Sequence, residues 1–137
     1  MTTPSPALAS LVDALQVGRG EPVSAAGWER FARRRLAPDE IVLLALEGNG
    51  FTWWDPLLLV TDRRVIHLRE WAFIGWRTVR EVPARAVAGG EFRPHVLGWG
   101  PVIVRLRDGG RIRVRSKQDD AAQRFVDGLN RLIAGGH

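Results

Sequence analysis

PVIVRLRDGGRIRVRSKQDDAAQRFVDGLNRLI (101–133) carries the change of period that decides the fold. Over PVIVRLR (101–107) and RIRVRS (111–116), apolar and charged residues alternate at every second position. That is the pattern of a strand with one buried face. The intervening DGG (108–110) reads as a turn, so the two runs predict a hairpin. Val102, Val104, Leu106, Ile112 and Val114 then face one side, and Arg105, Arg107, Arg111, Arg113 and Arg115 face the other. Beyond the hairpin the period lengthens. Ala122, Phe125, Val126, Leu129, Leu132 and Ile133 recur at helical spacing and predict an amphipathic helix ended by Gly135 and Gly136. Ser116 followed by Asp119 predicts a capping box at its start, with aspartate in place of the usual glutamate.

Working back along the chain, five more strands are predicted. EIVLLALEG (40–48) leads into the loop GNGFTWWD (48–55), and PLLLVTD (56–62) follows. TDRR (61–64) is a tight turn into RVIHLREW (64–71), and GWRTVREV (75–82) runs until Pro83. VAGGEFRPHV (87–96) is a weaker strand because Gly89, Gly90 and Pro94 interrupt it. Within RVIHLREW, His67 alternates with Ile66 and Leu68, which predicts an outward-pointing histidine. Two short helices precede the strands. Leu8, Leu11, Val12 and Leu15 define one over 6–16, and GRGEP (18–22) breaks it. Ser24 caps the second, in which Trp28, Phe31 and Ala32 share a face and Arg33, Arg34 and Arg35 meet the negative end of the dipole. Seven short strands and one terminal helix bury their faces by rolling into a barrel or an orthogonal sandwich that the helix stoppers.

Composition bounds the function. A chain of 137 residues with 45% hydrophobic and 26% charged residues is the size and make-up of one folded domain. It has no cysteine, which excludes disulfides, thiol catalysis and cysteine-based zinc sites. The start, MTTPSPALASLVDAL, lacks a basic region and carries Asp13 in its apolar stretch, so it does not read as a signal peptide. The longest apolar runs, IVLLAL (41–46) and PLLLV (56–60), are too short to span a bilayer as helices. A cytoplasmic protein, or one peripheral at the inner membrane face, is the expectation. The formal charge is +5, and nineteen of the twenty basic residues are arginine, a bias that a GC-rich genome also produces. Residues 57–117 hold thirteen basic and five acidic residues, whereas both flanks are slightly acidic. Such a field attracts phosphates, acidic lipids or acidic proteins.

Three blocks in order resemble the bacterial PH-like domain family, relatives of the pleckstrin-homology and GRAM domains. They are LAPDEIVLLAL (36–46), LLLVTDRRVIHL (57–68) and AAQRFVDGLNRLI (121–133), and Thr61-Asp62-Arg63-Arg64 is the most specific of them. The resemblance covers residues 36–134, with 1–35 as an N-terminal helical extension. It implies a mainly β, α+β fold: a seven-stranded barrel or orthogonal sandwich capped by a C-terminal helix. Members of the wider family bind phosphoinositides, other acidic lipids, peptides or proteins, so the resemblance marks a fold more than an activity. In phosphoinositide-binding members the loop between the first two strands is basic. Here that loop has no Lys or Arg and carries Asp55, which argues against an inositol phosphate pocket. Independently of the family, Thr61 and Asp62 suit a hairpin turn, and Arg64 is placed to pair with Asp62 or to cap carbonyls.

The residues single out two candidate surfaces. The first is the arginine hairpin, Arg105, Arg107, Arg111, Arg113 and Arg115, joined by Arg69. Like charges opposite one another across strands are destabilising, a cost that anion binding would explain and that a solvated edge strand also tolerates. The second is aromatic: Trp53 and Trp54 in one loop, and Trp71 and Phe73 in the next hairpin, with Trp76 read as core. Tryptophan suits both protein hot spots and membrane interfaces. In a PH-like barrel both loops and the DGG turn fall at one end. Catalysis finds no support, because His67, His95 and His137 are dispersed and no nucleophile, metal-ligand or phosphate-loop spacing occurs. No cofactor is expected. The leading expectation is a non-enzymatic module for a protein or peptide partner, with homo-oligomerisation through the N-terminal helices as a further possibility. Anionic lipid membranes come next, and nucleic acid bound by the arginine hairpin follows.

Overall fold

A computed structural model describes residues 4–48, 54–71 and 74–135. Helix α1 spans Pro6–Arg19 and α2 spans Ala25–Arg35. Four antiparallel strands follow, β1 Val42–Glu47, β2 Trp54–Thr61, β3 Arg64–Trp71 and β4 Gly75–Pro83, in the sheet order β1-β2-β3-β4. A 3-10 turn at Ala84–Ala86 leads to β5 Val87–Phe92, β6 Pro101–Leu106 and β7 Arg111–Arg115, which form a second antiparallel sheet in the order β5-β6-β7. Helix α3, Asp119–Ala134, closes the described chain. The architecture is therefore α+β, with sheets of four and three strands and a C-terminal helix.

The ends of the helices follow local chemistry. At α1, Ser5 Oγ accepts the Leu8 N–H at 3.1 Å, and Pro6 occupies the first position, where no backbone donor is needed. Gly20, at φ 72°, ends the helix in the left-handed conformation and donates to the Gln16 carbonyl. Ser24 precedes α2 but makes no side-chain capping bond. The capping box expected at Ser116 is not formed. Gln118 precedes α3, while Ser116 is fully buried and its hydroxyl donates to the Gly100 carbonyl. Its backbone also forms an isolated bridge to Gly48, so this residue ties the end of β7 to the end of β1 instead of starting a helix.

The middle strands of the four-stranded sheet, β2 and β3, are buried on both faces, whereas β4 is exposed from Arg77 to Glu81. On one face, Leu46, Leu58, Val60, Val65 and Val82 pack against Val102, Val104, Ile112 and Val114 of the second sheet and Ala122, Phe125, Val126 and Leu129 of α3. On the other, Leu57, Leu59, Ile66 and Leu68 meet Leu8, Leu11 and Leu15 of α1 and Phe31 of α2. This explains why PLLLV lacks alternation, since both sides of β2 need apolar residues. It also corrects the reading of His67. With Ile66 and Leu68 turned to the helices, His67 faces the other way, opposite Leu58, and is 6% exposed. Trp76, near the start of β4, is half-buried and packs against α2, with ring centroids 5.2 Å from Phe31 and 5.6 Å from Trp28. The N-terminal helices thus cover the four-stranded sheet and leave the outer face of β5-β6-β7 to solvent.

The Thr-Asp-Arg-Arg block is structural, with partners the sequence does not suggest. Arg64 does not pair with Asp62. It grips the buried Glu40 through Nε and Nη2, donates to the Arg35 carbonyl, and reaches Glu81 on β4. Thr61 Oγ1 donates to Glu40 at 2.7 Å and accepts the backbone N–H groups of Arg63 and Arg64. Asp62 accepts the Ile41 N–H, and Arg63 pairs with Asp39. One block therefore fastens the end of α2, the entry to β1, the β2–β3 turn and β4.

Candidate functional site

The β6–β7 hairpin forms as its alternation dictates. Val102, Val104, Leu106, Ile112 and Val114 are buried, and Arg105, Arg107, Arg111, Arg113 and Arg115 are exposed. Register sets Arg105 opposite Arg111, Ile103 opposite Arg113 and Pro101 opposite Arg115. Two guanidinium groups directly across an antiparallel pair repel, and one of them is drawn aside. Arg105 turns over Gly89 on β5, where a Cβ would lie 2.9 Å from its Nη2, and meets Glu91 at 3.6 Å. Glu91 also pairs with Arg93. The acid on this sheet is thereby taken up, and among the described residues no ion pair reaches Arg111 or Arg113. Ile103 is 4% exposed on this otherwise polar face; its neighbours there are Glu91, Arg105 and Arg113.

The two edges of this sheet differ. On β5, Asn130 of α3 clamps Gly90: its Oδ1 accepts the Gly90 N–H at 2.9 Å and its Nδ2 donates to the Gly90 carbonyl at 3.0 Å. A side-chain amide there occupies the groups to which another strand would bond. The other outer strand, β7, carries the arginines.

Arg69 belongs to a different surface. It lies on β3 on the same face as His67, opposite Arg77, while Arg80 lies opposite His67. The Arg80 guanidinium reaches the DGG turn, 3.4 Å from where a Cβ of Gly110 would stand. His67 Nε2 is buried without a hydrogen-bond partner. Burial, with a smaller contribution from the Arg69 charge, pulls its pKa down to about 4, so the ring is neutral at pH 7. Strand alternation alone does not reveal this cluster, because Arg77 and Arg80 share the face of His67 only through the bulge at His67–Leu68.

Of the aromatic candidates, Trp53 and Phe73 lie outside the described residues. Trp54 opens β2, paired in register with Trp71 at the end of β3, and Trp71 is half-buried. Antiparallel order puts the β1–β2 and β3–β4 connections at the same end of this sheet, but the DGG turn does not join them. It lies by Arg80 and the Ala84–Ala86 turn, with the Arg107 N–H on the Ala86 carbonyl. Gly48, at the start of the β1–β2 connection, bridges Ser116 at the other end of the hairpin.

Among the described residues no three His, Asp or Glu side chains are grouped to hold a metal. Glu40 is the most perturbed acid. Burial alone would raise its pKa, but hydrogen bonds from Arg64, Thr61 and the Ala37 N–H hold it down to about 2. It is a locked anion with its acceptors filled, which suits it to structure and not to proton transfer. No helix among the described residues is long and apolar enough to cross a membrane. Against known proteins, the chain matches no family model and no curated sequence.

Proposed function

We propose that this protein is a non-enzymatic binding module that recognises an acidic segment of a partner protein across the arginine face of β6–β7. One observation carries the reading: Arg111 and Arg113 stand exposed on one strand, and the acid of the same sheet is already engaged by Arg93 and Arg105. Placing like charges opposite each other opposes folding, and an anionic ligand reverses the sign of that term. An extended segment lying along β7 would present carboxylates at the two-residue spacing of the arginines, with Ile103 as an apolar floor between them. Asn130 closes the far edge at β5, which leaves β7 as the side for such a segment.

The same reading takes the two sheets as a PH-like barrel stoppered by α3. The Gly48–Ser116 bridge between β1 and β7, and the 3-10 turn that carries β4 into β5, support it as the two corners of such a barrel. In this reading the N-terminal helices serve as packing for the four-stranded sheet.

Reversing the charge at Arg111→Glu and Arg113→Glu tests the proposal. Affinity for a glutamate-rich peptide, followed by fluorescence anisotropy at low salt, falls at least about tenfold on the proposal, and the wild-type affinity weakens steeply with added salt. Equal binding by the double variant would remove the face from the account.

A further inference from the structure

The connection Arg93–Gly100, RPHVLGWG, displays the two most exposed large apolar side chains among the described residues, Val96 and Leu97, and adds Trp99. Val96 is 98% exposed, Leu97 78% and Trp99 45%. Their exposure is built by the loop's own polar groups. The Gly98 N–H donates to the His95 carbonyl at 2.9 Å, which closes a tight turn with Val96 and Leu97 at its centre. The Leu97 N–H donates to His95 Nδ1 at 3.1 Å. At the base, Arg93 N–H donates to the Pro101 carbonyl, and Gly100 approaches so closely that a Cβ would stand 2.3 Å from the Arg93 carbonyl. Trp99 sits at φ 59°, a left-handed conformation that costs a bulky residue on the order of 1 kcal/mol or more. A polar residue or glycine would fill every one of these positions with less exposed apolar surface and less strain. The loop is therefore a pinched, ordered hook that holds an aliphatic pair and an indole outward.

The surroundings of the hook are cationic. Arg93 begins it and Arg115 lies opposite Pro101 at its end, while Lys117, next after Ser116, turns away to line a cavity with Glu47, Asp55 and Glu70. Glu91, the acid on the adjoining strand, is ion-paired with Arg93. A convex apolar tip offers no groove of its own and has to enter a medium that deforms around it. Val, Leu and Trp partition into the boundary between headgroups and acyl chains, and flanking cations complement anionic headgroups.

We propose that the β5–β6 hook inserts Val96, Leu97 and Trp99 into the interface of an anionic lipid bilayer, with Arg93 and Arg115 on the headgroup side. The site is separate from the Arg111–Arg113 face, and the proposal stands whether or not that face binds an acidic segment.

Because the chain lacks cysteine, a single Val96→Cys substitution labelled with an environment-sensitive fluorophore reports on the tip alone. With vesicles of phosphatidylcholine and phosphatidylglycerol, the label shifts to the blue and its emission rises; with pure phosphatidylcholine the response is much weaker. In co-sedimentation, Val96→Ser with Leu97→Ser weakens binding to the anionic vesicles about tenfold or more, while circular dichroism stays unchanged because both side chains are already in water. Arg115→Glu weakens it in a salt-dependent manner. An unshifted label, or equal sedimentation of the serine variant and the wild type, overturns the proposal. So does a serine variant that keeps vesicle binding but loses self-association in ultracentrifugation, which would make the hook a contact between copies of this chain.

Discussion

Arg64 holds the buried carboxylate of Glu40 in a two-point grip, Nε to Oε2 at 2.9 Å and Nη2 to Oε1 at 2.8 Å. Glu40 is 1% exposed, and Thr61 and the Ala37 N–H satisfy its remaining acceptor positions. Such a pair is worth little against an apolar replacement, yet removing one partner strands the other. Glu40→Ala and Arg64→Ala are each expected to cost about 3 kcal/mol in urea unfolding. The double variant should cost less than the sum, and a fully additive cycle would contradict the grip.

Acid weakens this pair in a defined window. Glu40 has its pKa lowered from 4.5 to about 2 on folding, so its contribution is complete above about pH 4.5 and is lost as pH falls towards 2. Glu40→Gln should be less stable at neutral pH and should lose less on going from pH 4.5 to 2. Unfolding midpoints measured across that range check it.

His67 titrates in a higher window. Its folded pKa is pushed from 6.5 to about 4, so the unfolded chain takes up a proton first, and stability present above pH 6.5 falls as pH drops towards 4. Replacing it by leucine removes a buried nitrogen without a partner and matches Leu58 opposite. His67→Leu is expected to raise stability at pH 5 by on the order of 2 kcal/mol relative to wild type and to flatten that limb of the pH profile. An unchanged profile would place the imidazole in water.

Local chemistry was legible in the sequence, and remote cover was not. The RVIHLREW strand is observed over Arg64–Trp71 as read, and the arginine hairpin lies within a residue of its expected bounds. Period and turn residues set both. The apolar face of α3 is likewise legible, because Ala122, Phe125, Val126 and Leu129 carry it by spacing alone. Alternation shows that a strand has two faces but not that both are covered: the helices take the Ile66 and Leu68 side, which leaves His67 on the side of Leu58 and the second sheet. Local reading offers Arg64 either Asp62, two residues away, or a carbonyl to cap; it caps the Arg35 carbonyl, whereas its carboxylate partner Glu40 lies 24 residues earlier and is brought close by folding. Ser116 has the spacing of a cap, but the Gly100 carbonyl and the bridge to Gly48 engage it instead. The expected strand 87–96 overruns β5, which ends at Phe92, and takes in the first part of the hook, although consecutive Val96-Leu97 between Pro94 and Gly98 is a signal for an apolar loop tip.

Close approach between the sheets makes Gly48 intolerant. A Cβ there would stand 2.5 Å from Pro56 Cγ, 2.6 Å from the Arg115 carbonyl and 2.6 Å from Val114 Cγ1. Gly48→Ala is expected to cost about 1–3 kcal/mol. Gly27, in α2 with open space around it, is the control, and Gly27→Ala should gain about 0.5–1 kcal/mol. Calorimetric midpoints moving in opposite directions bear this out; a neutral Gly48 variant would contradict the contact.

The Asn130 clamp protects an edge. Asn130→Ala removes both bonds to Gly90 and is expected to cost about 1–2 kcal/mol, with greater aggregation at high concentration as β5 becomes available for pairing. Light scattering and urea unfolding read the two effects separately. A variant as stable and as dispersed as wild type would deny the clamp a role.

The most direct test of the binding account is an amide chemical-shift titration of the labelled protein with a glutamate-rich peptide. Recognition through the arginine face perturbs Ile103, Arg105, Arg111, Arg113 and Arg115 together and leaves β2 and α1 still. Shifts confined to the His67–Arg80 cluster, or none at low salt, would contradict it.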